Sequence, residues 1–364
     1  MDSFHQFRFE SFDSPHIVGP RVKPPPMTVP MVERIDIYCE ITCISDLLRL
    51  IEKHPVVENI EYNINMRALH CISEPLRKLN EMVGMDTLKE NVVGQIIYFL
   101  QGLHLNQQEN NKTKKTCNGA FNDYMHTVIY GPPGTGKTEV AKLIGSIFSQ
   151  MGVLKKSKFK KVTRSDLIAG YLGQTAIKTA DVIKECLGGV LFIDEAYALG
   201  NPEKRDSFSK ECIDTLCEAL SDHKSDLMVI IAGYEKDLNE CFFNFNPGLN
   251  SRFTWRFKID DYTPAQLAKI YEKKVHDCGW QLREPVRLPW FEENICYFKC
   301  FGRDMETLLS RVKIVHGRRV FCNAREKRQL THADLEKGMA LFISNEEVKQ
   351  RKDERTPASV SMYL

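Results

Sequence analysis

Residues 131–138 read Gly-Pro-Pro-Gly-Thr-Gly-Lys-Thr, a complete G-x-x-x-x-G-K-[ST] pattern. No other stretch constrains the chain as strongly, because such a loop works only between a strand and a helix. Both flanks comply. His126-Thr-Val-Ile-Tyr130 is a short, mostly apolar strand, and Val140, Leu143, Ile144, Ile147, Phe148 and Met151 follow at helical spacing. Gly131, Gly134 and Gly136 let the backbone approach phosphate oxygens, whose charge suits the loop N–H groups and the helix N-terminus. Lys137 is expected to reach the β- and γ-phosphates and the Thr138 hydroxyl to ligate Mg²⁺. Pro132, Pro133, Gly134, Thr135, Gly136, Lys137, Thr138 and Glu139 form the expected nucleotide-binding stretch.

Gly188-Gly-Val-Leu-Phe-Ile-Asp-Glu195 is the second decisive stretch. Val190–Ile193 is continuously apolar, as a strand buried on both faces must be. Two adjacent carboxylates end it. Neighbours in a strand point to opposite sides, so Asp194 and Glu195 are expected to do different work. Asp194 suits Mg²⁺, and Glu195 suits polarising a water for attack on the γ-phosphate. With Lys137 they make a hydrolytic site.

The rest of the chain sets this site in a larger frame. Residues 1–30 carry six prolines, including Lys23-Pro-Pro-Pro26, and read as a flexible arm. In 31–64, Arg34-Ile-Asp-Ile-Tyr38 and Val57-Glu-Asn-Ile-Glu-Tyr62 read as strands around a helix at Ile44–Ile51, a small α+β module. Helical patterns span Asn65–Leu79 and Thr87–Leu103, and residues 105–122 are a polar loop. Strands alternate with helices to residue 260, which implies a parallel sheet with helices on both faces. Residues 261–345 are helical, with Thr263-Pro-Ala-Gln266 and Thr331-His-Ala-Asp334 as helix starts. Residues 346–364 read as a flexible tail. The expected fold is therefore an α/β domain over 65–260 with a C-terminal helical lid.

Fifty Lys+Arg against 48 Asp+Glu leave a net charge of +2, so no global field points to nucleic acid or membrane. Lys155-Lys-Ser-Lys-Phe-Lys-Lys161 reads as a solvated loop. No secretory signal and no apolar run near membrane length is visible, so twelve cysteines are expected as free thiols in a soluble, intracellular protein. Cys39/Cys43 and Cys296/Cys300 have helical spacing, but nothing completes a zinc set, and they are expected as buried small hydrophobes.

The pattern G-x-P-G-T-G-K-T followed by h-h-h-h-D-E-A-Y resembles AAA+ ATPases. Val162-Thr-Arg-Ser-Asp-Leu-Ile-Ala-Gly-Tyr-Leu-Gly-Gln-Thr175, Ile231-Ala-Gly-Tyr234 and Asn246-Pro-Gly-Leu-Asn-Ser-Arg-Phe253 narrow it. Together they resemble the branch containing red-type Rubisco activases and stage V sporulation protein K. Within it the chain is most similar to AAA-family ATPases of large DNA viruses, in which case the compartment would be the host cell or the virion. The resemblance covers about residues 65–345 and implies a P-loop NTPase sheet, ATP with Mg²⁺, and a homo-oligomeric ring, expected as a hexamer.

It also assigns roles. Val83 and Gly84 match the adenine-pocket segment. Arg252 matches the arginine finger that completes a neighbouring subunit's site, with Arg256 as a rival. Arg303 in Phe301-Gly-Arg-Asp304 matches a lid arginine that senses the γ-phosphate. Tyr171, Leu172 and Gly173 match a pore loop that grips polypeptide, although Tyr171 could instead be a core residue. Gly233-Tyr234 stands where many AAA+ proteins carry a polar sensor Asn, and Tyr234 either replaces that sensor or only packs. The expected activity is ATP-driven remodelling or threading of a protein, whose identity the sequence does not name. A nucleic-acid motor or loader and a nucleotide-gated scaffold are the alternatives.

Overall fold

The computed structural model describes residues 33–105, 123–171, 173–200, 206–322 and 326–353. The expected arm at 1–30, most of the 105–122 loop and Leu172 lie outside these.

The first described elements are strand β1 (Glu33–Ile35), helix α1 (Ile44–Lys53) and strand β2 (Ile60–Tyr62). The two strands pair in parallel, which requires a crossover, and α1 supplies it. Ile44, Leu47, Leu50 and Ile51 of α1 are buried, the spacing of one helix face. That face packs on α3 (Ser73–Asn80) and α4 (Asp86–Leu100), so the strand–helix–strand unit shares one core with these two helices. The helical pattern of 65–79 breaks at Ile72 into α2 (Met66–Cys71) and α3.

The main sheet has five parallel strands: β3 (Thr127–Tyr130), β4 (Phe159–Val162), β5 (Val190–Ile193), β6 (Met228–Gly233) and β7 (Trp255–Lys258). Their spatial order is β4-β5-β6-β3-β7. The strands divide their side chains between two cores. Val190, Phe192, Met228 and Ile230 face one; Leu191, Ile193, Val229 and Ile231 face the other. This period-two partition is why the sequence reads as continuous apolar runs: both faces need cover. Helix α5 (Lys137–Gln150) leaves β3. Between β4 and β5 run α6 (Arg164–Leu167) and α7 (Thr175–Cys186), and α8 (Ser207–Asp222) precedes β6. After β6 come α9 (Glu235–Asp237), a π-helical turn at Leu238–Phe243 and α10 (Gly248–Arg252).

The lid comprises α11 (Pro264–Asp277), β8 (Gln281–Leu282), α12 (Leu288–Asn294), α13 (Phe301–Arg319), β9 (Gln329–Leu330), α14 (His332–Ile343) and α15 (Glu346–Asp353). The two helix starts carry the capping chemistry expected of them: Thr263 with Gln266, and Thr331 with Asp334, satisfy each other's end-turn N–H groups. Three expectations need correction. Residues 346–353 are not part of a flexible tail but the helix α15, anchored by buried Val348 and Arg351. The run Lys155–Lys161 is not a solvated loop throughout. Its end is strand β4, where Lys160 pairs with Glu185 and Lys161 with Asp194. Of the spaced cysteines, Cys39 is exposed and Cys43, Cys296 and Cys300 are only half-buried. Among the described residues no cluster could hold a metal through three His, Cys, Asp or Glu side chains, and no helix is long and apolar enough to cross a membrane.

His126 pins the root of β3. Its Nδ1 accepts from the Val229 N–H at 3.1 Å, so its Nε2–H donates to the Leu220 carbonyl at 3.2 Å. Burial pushes its pKa down from 6.5 to about 4, and the Arg252 charge adds to this against the Leu220 bond. Below pH 6.5 the unfolded chain takes a proton that the folded chain refuses until pH falls to about 4. Stability is therefore lost as pH falls through that window, by about 3 kcal/mol for this one group. An NMR titration of the imidazole is expected to place His126 near 4; a midpoint at or above 6 would refute the assignment.

Candidate functional site

The loop between β3 and α5 has the conformation that the glycines predict. Gly134 and Gly136 have φ +74° and +87°. Gly134 is also obligatory on space, since a Cβ there would lie 2.0 Å from the Cys300 carbonyl oxygen. One cleft gathers the residues expected at the phosphates. Pro133, Gly134, Thr135, Gly136, Lys137, Thr138 and Glu139 line it together with Asp194, Glu195 and Arg303. Pro132 contributes its carbonyl, which accepts from Lys137 Nζ at 2.7 Å, and the Gly131 carbonyl accepts from the same ammonium at 2.8 Å. Burial pushes the Lys137 pKa down while Asp194 and Glu195 pull it up. A polyanion entering the cleft offers this half-buried cation stronger acceptors than two carbonyls.

Strand alternation does not part Asp194 and Glu195, which line the same cleft. β5 stops at Ile193, and Glu195 takes a left-handed conformation, φ 52° and ψ 46°, at the start of a 3-10 turn. Such backbone costs ~1–3 kcal/mol at a non-glycine residue and persists where surroundings enforce it. Asp194 Oδ2 accepts from Thr138 Oγ1 at 3.4 Å and lies 2.6 Å from Lys161 Nζ. A hydroxyl beside a carboxylate is a donor set of hard oxygens that fits Mg²⁺. The two carboxylates also line a second cavity, of 540 Å³, beside Thr163, Arg164 and Ser165. They thus stand between the phosphate cleft and an outer opening.

Val83 lines a neighbouring cavity of 450 Å³ with apolar Met82, Met85, Leu143, Tyr262 and Ile270, beside charged Lys78, Lys273, Lys274 and Asp277, and the cavity continues into Gly134 and Gly136. Gly84 does not line it; with φ +68° it makes the turn that brings Val83 there. Three described non-glycine residues have positive φ: Met85, Glu195 and Phe301. Two of them line these cavities, Met85 the one beside Val83 and Glu195 the cleft at Lys137, while Phe301 directly precedes Gly302, which lines the first.

Arg252 stands apart. Its Nε donates to Ser221 Oγ and its Nη1 to the Gly248 carbonyl, each at 2.7 Å. The next residue, Phe253, packs its ring 5.8 Å from that of His126, at the root of β3. Five residues of strand, roughly 16 Å, separate that root from Gly131. Arg252 lines neither cavity. Arg256 is bound to Tyr130, Asn250 and Phe253 and stacks 4.7 Å from the Phe243 ring. Tyr171 is 75 % exposed, which excludes the core alternative; Gly173 beside it has φ +79°.

Two residues at the site, Lys161 and Tyr197, were not expected from sequence. Lys161 was hidden in a charged run. Its partner is set by the β4–β5 register, in which Lys161 lies opposite Phe192. Tyr197 and Tyr234 both line the cleft, their rings 6.0 Å apart, and Lys137 Nζ lies 5.8 Å from the Tyr234 ring. Tyr234 therefore faces the cleft rather than merely packing. The signal for Tyr197 was its place directly after Asp-Glu-Ala.

The family described as "ATPase family associated with various cellular activities (AAA)" matches residues 127–260. The cfxQ-like protein R730 of Acanthamoeba polyphaga mimivirus is 38% identical over 296 residues, which cover 80% of this chain and 70% of that protein. Stage V sporulation protein K of Bacillus subtilis (strain 168) is 38% identical over 218 residues, 60% of this chain and 65% of that protein. The chloroplastic ribulose bisphosphate carboxylase/oxygenase activase of Cyanidioschyzon merolae is 34% identical over 270 residues, 72% of this chain and 88% of that protein. These are relatives of the kind that the sequence motifs resemble.

Proposed function

This chain belongs to the AAA family of ATPases, and from that premise we propose that it hydrolyses ATP as a ring, expected as a hexamer, and uses the cycle to remodel or thread a protein. The observation that carries the reading is the split of the site. Lys137, Thr138, Asp194, Glu195 and Arg303 converge on one cleft, while Arg252 lies outside it. An arginine that lies outside its own cleft suits a finger offered to a neighbour's.

In this reading the adenine lies against Val83 and the phosphates on the loop N–H groups. Lys137 binds the β- and γ-phosphates, and Glu195 takes a proton from the attacking water as its oxygen bonds to the γ-phosphorus. The bond from that phosphorus to the bridging oxygen breaks, leaving ADP and phosphate. Thr138 and Asp194 would hold Mg²⁺, which spreads the phosphate charge when bound. Arg303 senses the γ-phosphate from the lid. Tyr171, Leu172 and Gly173 form the substrate grip, for which the exposure of Tyr171 on a glycine-flanked loop is the support. One relative is named as an activase of another enzyme, which favours a protein substrate. A salt-sensitive stimulation of turnover by DNA or RNA would instead favour the nucleic-acid motor.

Mixing tests the shared site. Arg252→Ala and Lys137→Ala proteins, each inactive alone, are expected to regain up to about a quarter of parental ATPase when combined, since such mixtures assemble some sites with both residues intact. The same mixture made with Arg256→Ala separates the rival. Activity restored at no ratio with either arginine variant would overturn the reading of a site completed in trans.

A further inference from the structure

The first turn of α13 is a strained corner. Phe301 has φ 41°, a left-handed conformation for a bulky, buried residue, and such backbone survives only where its surroundings over-determine it. Contacts hold it from three sides. Towards the phosphate loop, the Gly302 N–H donates to the Gly134 carbonyl at 3.0 Å. Towards the sheet, the Phe301 ring meets that of Tyr262 edge-on at 5.5 Å, and the Tyr262 hydroxyl donates to the Thr135 carbonyl at 3.1 Å. On the third side the Asp304 carboxylate accepts the Cys300 N–H at 2.7 Å.

That carboxylate is buried, and a buried charge needs a partner. The partner comes from α15. Arg351, itself only 9 % exposed, donates through Nη1 to Asp304 Oδ2 at 2.9 Å and to the Tyr297 carbonyl at 3.0 Å. Its Nη2 donates to Glu347 at 3.2 Å and lies 3.8 Å from Cys300 Sγ. Arg351 lines neither nucleotide cavity, but the corner that it locks does: Arg303 lines the phosphate cleft and Gly302 the adjoining cavity.

We propose that Arg351 is a positioning residue for the nucleotide site, locking the Cys300–Asp304 corner so that Arg303 faces the phosphate cleft. Helix α15 then sets how sharply the lid distinguishes a triphosphate from a diphosphate. The proposal rests on the reading of Arg303 as the γ-phosphate sensor.

The lid contains its own control. At the other end of α13, Arg319 holds buried Asp334 by two bonds of 3.0 Å each, in the same kind of acid–arginine lock. The two arginines 303 and 319 are sixteen helical steps apart, roughly 24 Å. Losing Arg319 should loosen the lid without turning Arg303.

The test uses the full chain with Arg351→Met, Arg351→Lys, Arg319→Met and Arg303→Ala. Calorimetry gives Kd for ADP and for a non-hydrolysable ATP analogue, and thermal melting gives Tm without nucleotide. Arg351→Met is expected to weaken analogue binding about tenfold and ADP binding far less, a coupling of the size seen for residues that touch no ligand. Arg351→Lys should fall between it and the parent. Arg319→Met should lower Tm and keep the parental ratio of the two Kd values. A parental ratio in Arg351→Met would overturn the proposal, as would an equal change of ratio in Arg319→Met. Should Arg351→Met fail to fold, Arg351→Lys decides by the same ratio. If Arg303→Ala also keeps the parental ratio, the sensor reading falls and this proposal with it. If Arg303→Ala loses it and Arg351→Met does not, only the proposal falls.

Discussion

Glu195→Gln is expected to bind ATP as tightly as the parent and to lose turnover by ~10²–10⁴-fold, the usual worth of a positioned general base. The substitution is nearly isosteric, so the left-handed backbone at this residue is not further burdened. Glu195 is exposed, and its side chain has no hydrogen bond or ion pair among the described residues, so Tm should barely move. What the amide cannot do is accept a proton from water. Filled sites then persist, and the assembly should be trapped in its ATP form, visible as a stable larger species in native mass spectrometry or size-exclusion chromatography. Phosphate release near the parental rate would move the basic function elsewhere, with Asp194 first in line because it borders the same cleft. The trapped protein is also the state in which crosslinking would capture the substrate that the sequence does not name.

The legible part of this fold was the part whose causes are local or periodic. A loop that must succeed a strand and open a helix fixes three elements at once. The apolar runs at Val190–Ile193 and Met228–Gly233 announce a sheet covered on both faces, and the two cores take alternate residues of those runs. Cap chemistry at Thr263 and Thr331 depends on residues three apart, so those helix starts could be read directly. What stayed hidden depends on lateral register or on a distant partner. Lys161 looked like one charge in a solvated run because its neighbour Asp194 lies across a strand boundary. Residues 346–353 looked like tail because α15 has a weakly apolar sequence and is held by Arg351, whose partner Asp304 is 47 residues earlier. Glu195 and Phe301 carry no sequence mark of their left-handed backbone, since neither is Gly, Asn or Asp. Most of the expected site residues do converge, whereas Arg252 bonds to Ser221 and Gly248 and lines neither cavity.

Lys137→Ala is expected to remove nucleotide binding across the accessible concentration range. Charge-assisted hydrogen bonds are worth about 1.5–3 kcal/mol each, so losing the ammonium at two phosphates costs at least ~100-fold in Kd. The apo protein should tolerate the change. Among the described residues Lys137 bonds to the carbonyls of Gly131 and Pro132, at a cleft wall that water reaches. Burial already depresses the ammonium's pKa, so in the empty protein this charge is held against a desolvation cost that alanine relieves. The expected signature is therefore a split: Tm without nucleotide equal to or above the parent's, and no Tm rise on adding ATP, where the parent gains about 2.7 kcal/mol at one hundred times its Kd. Calorimetry showing retained affinity would mean that the Lys137 ammonium does not meet the phosphates. A collapse of Tm without nucleotide would mean that the lysine's first task is to hold the loop's own carbonyls, making the binding loss a consequence of a disordered loop.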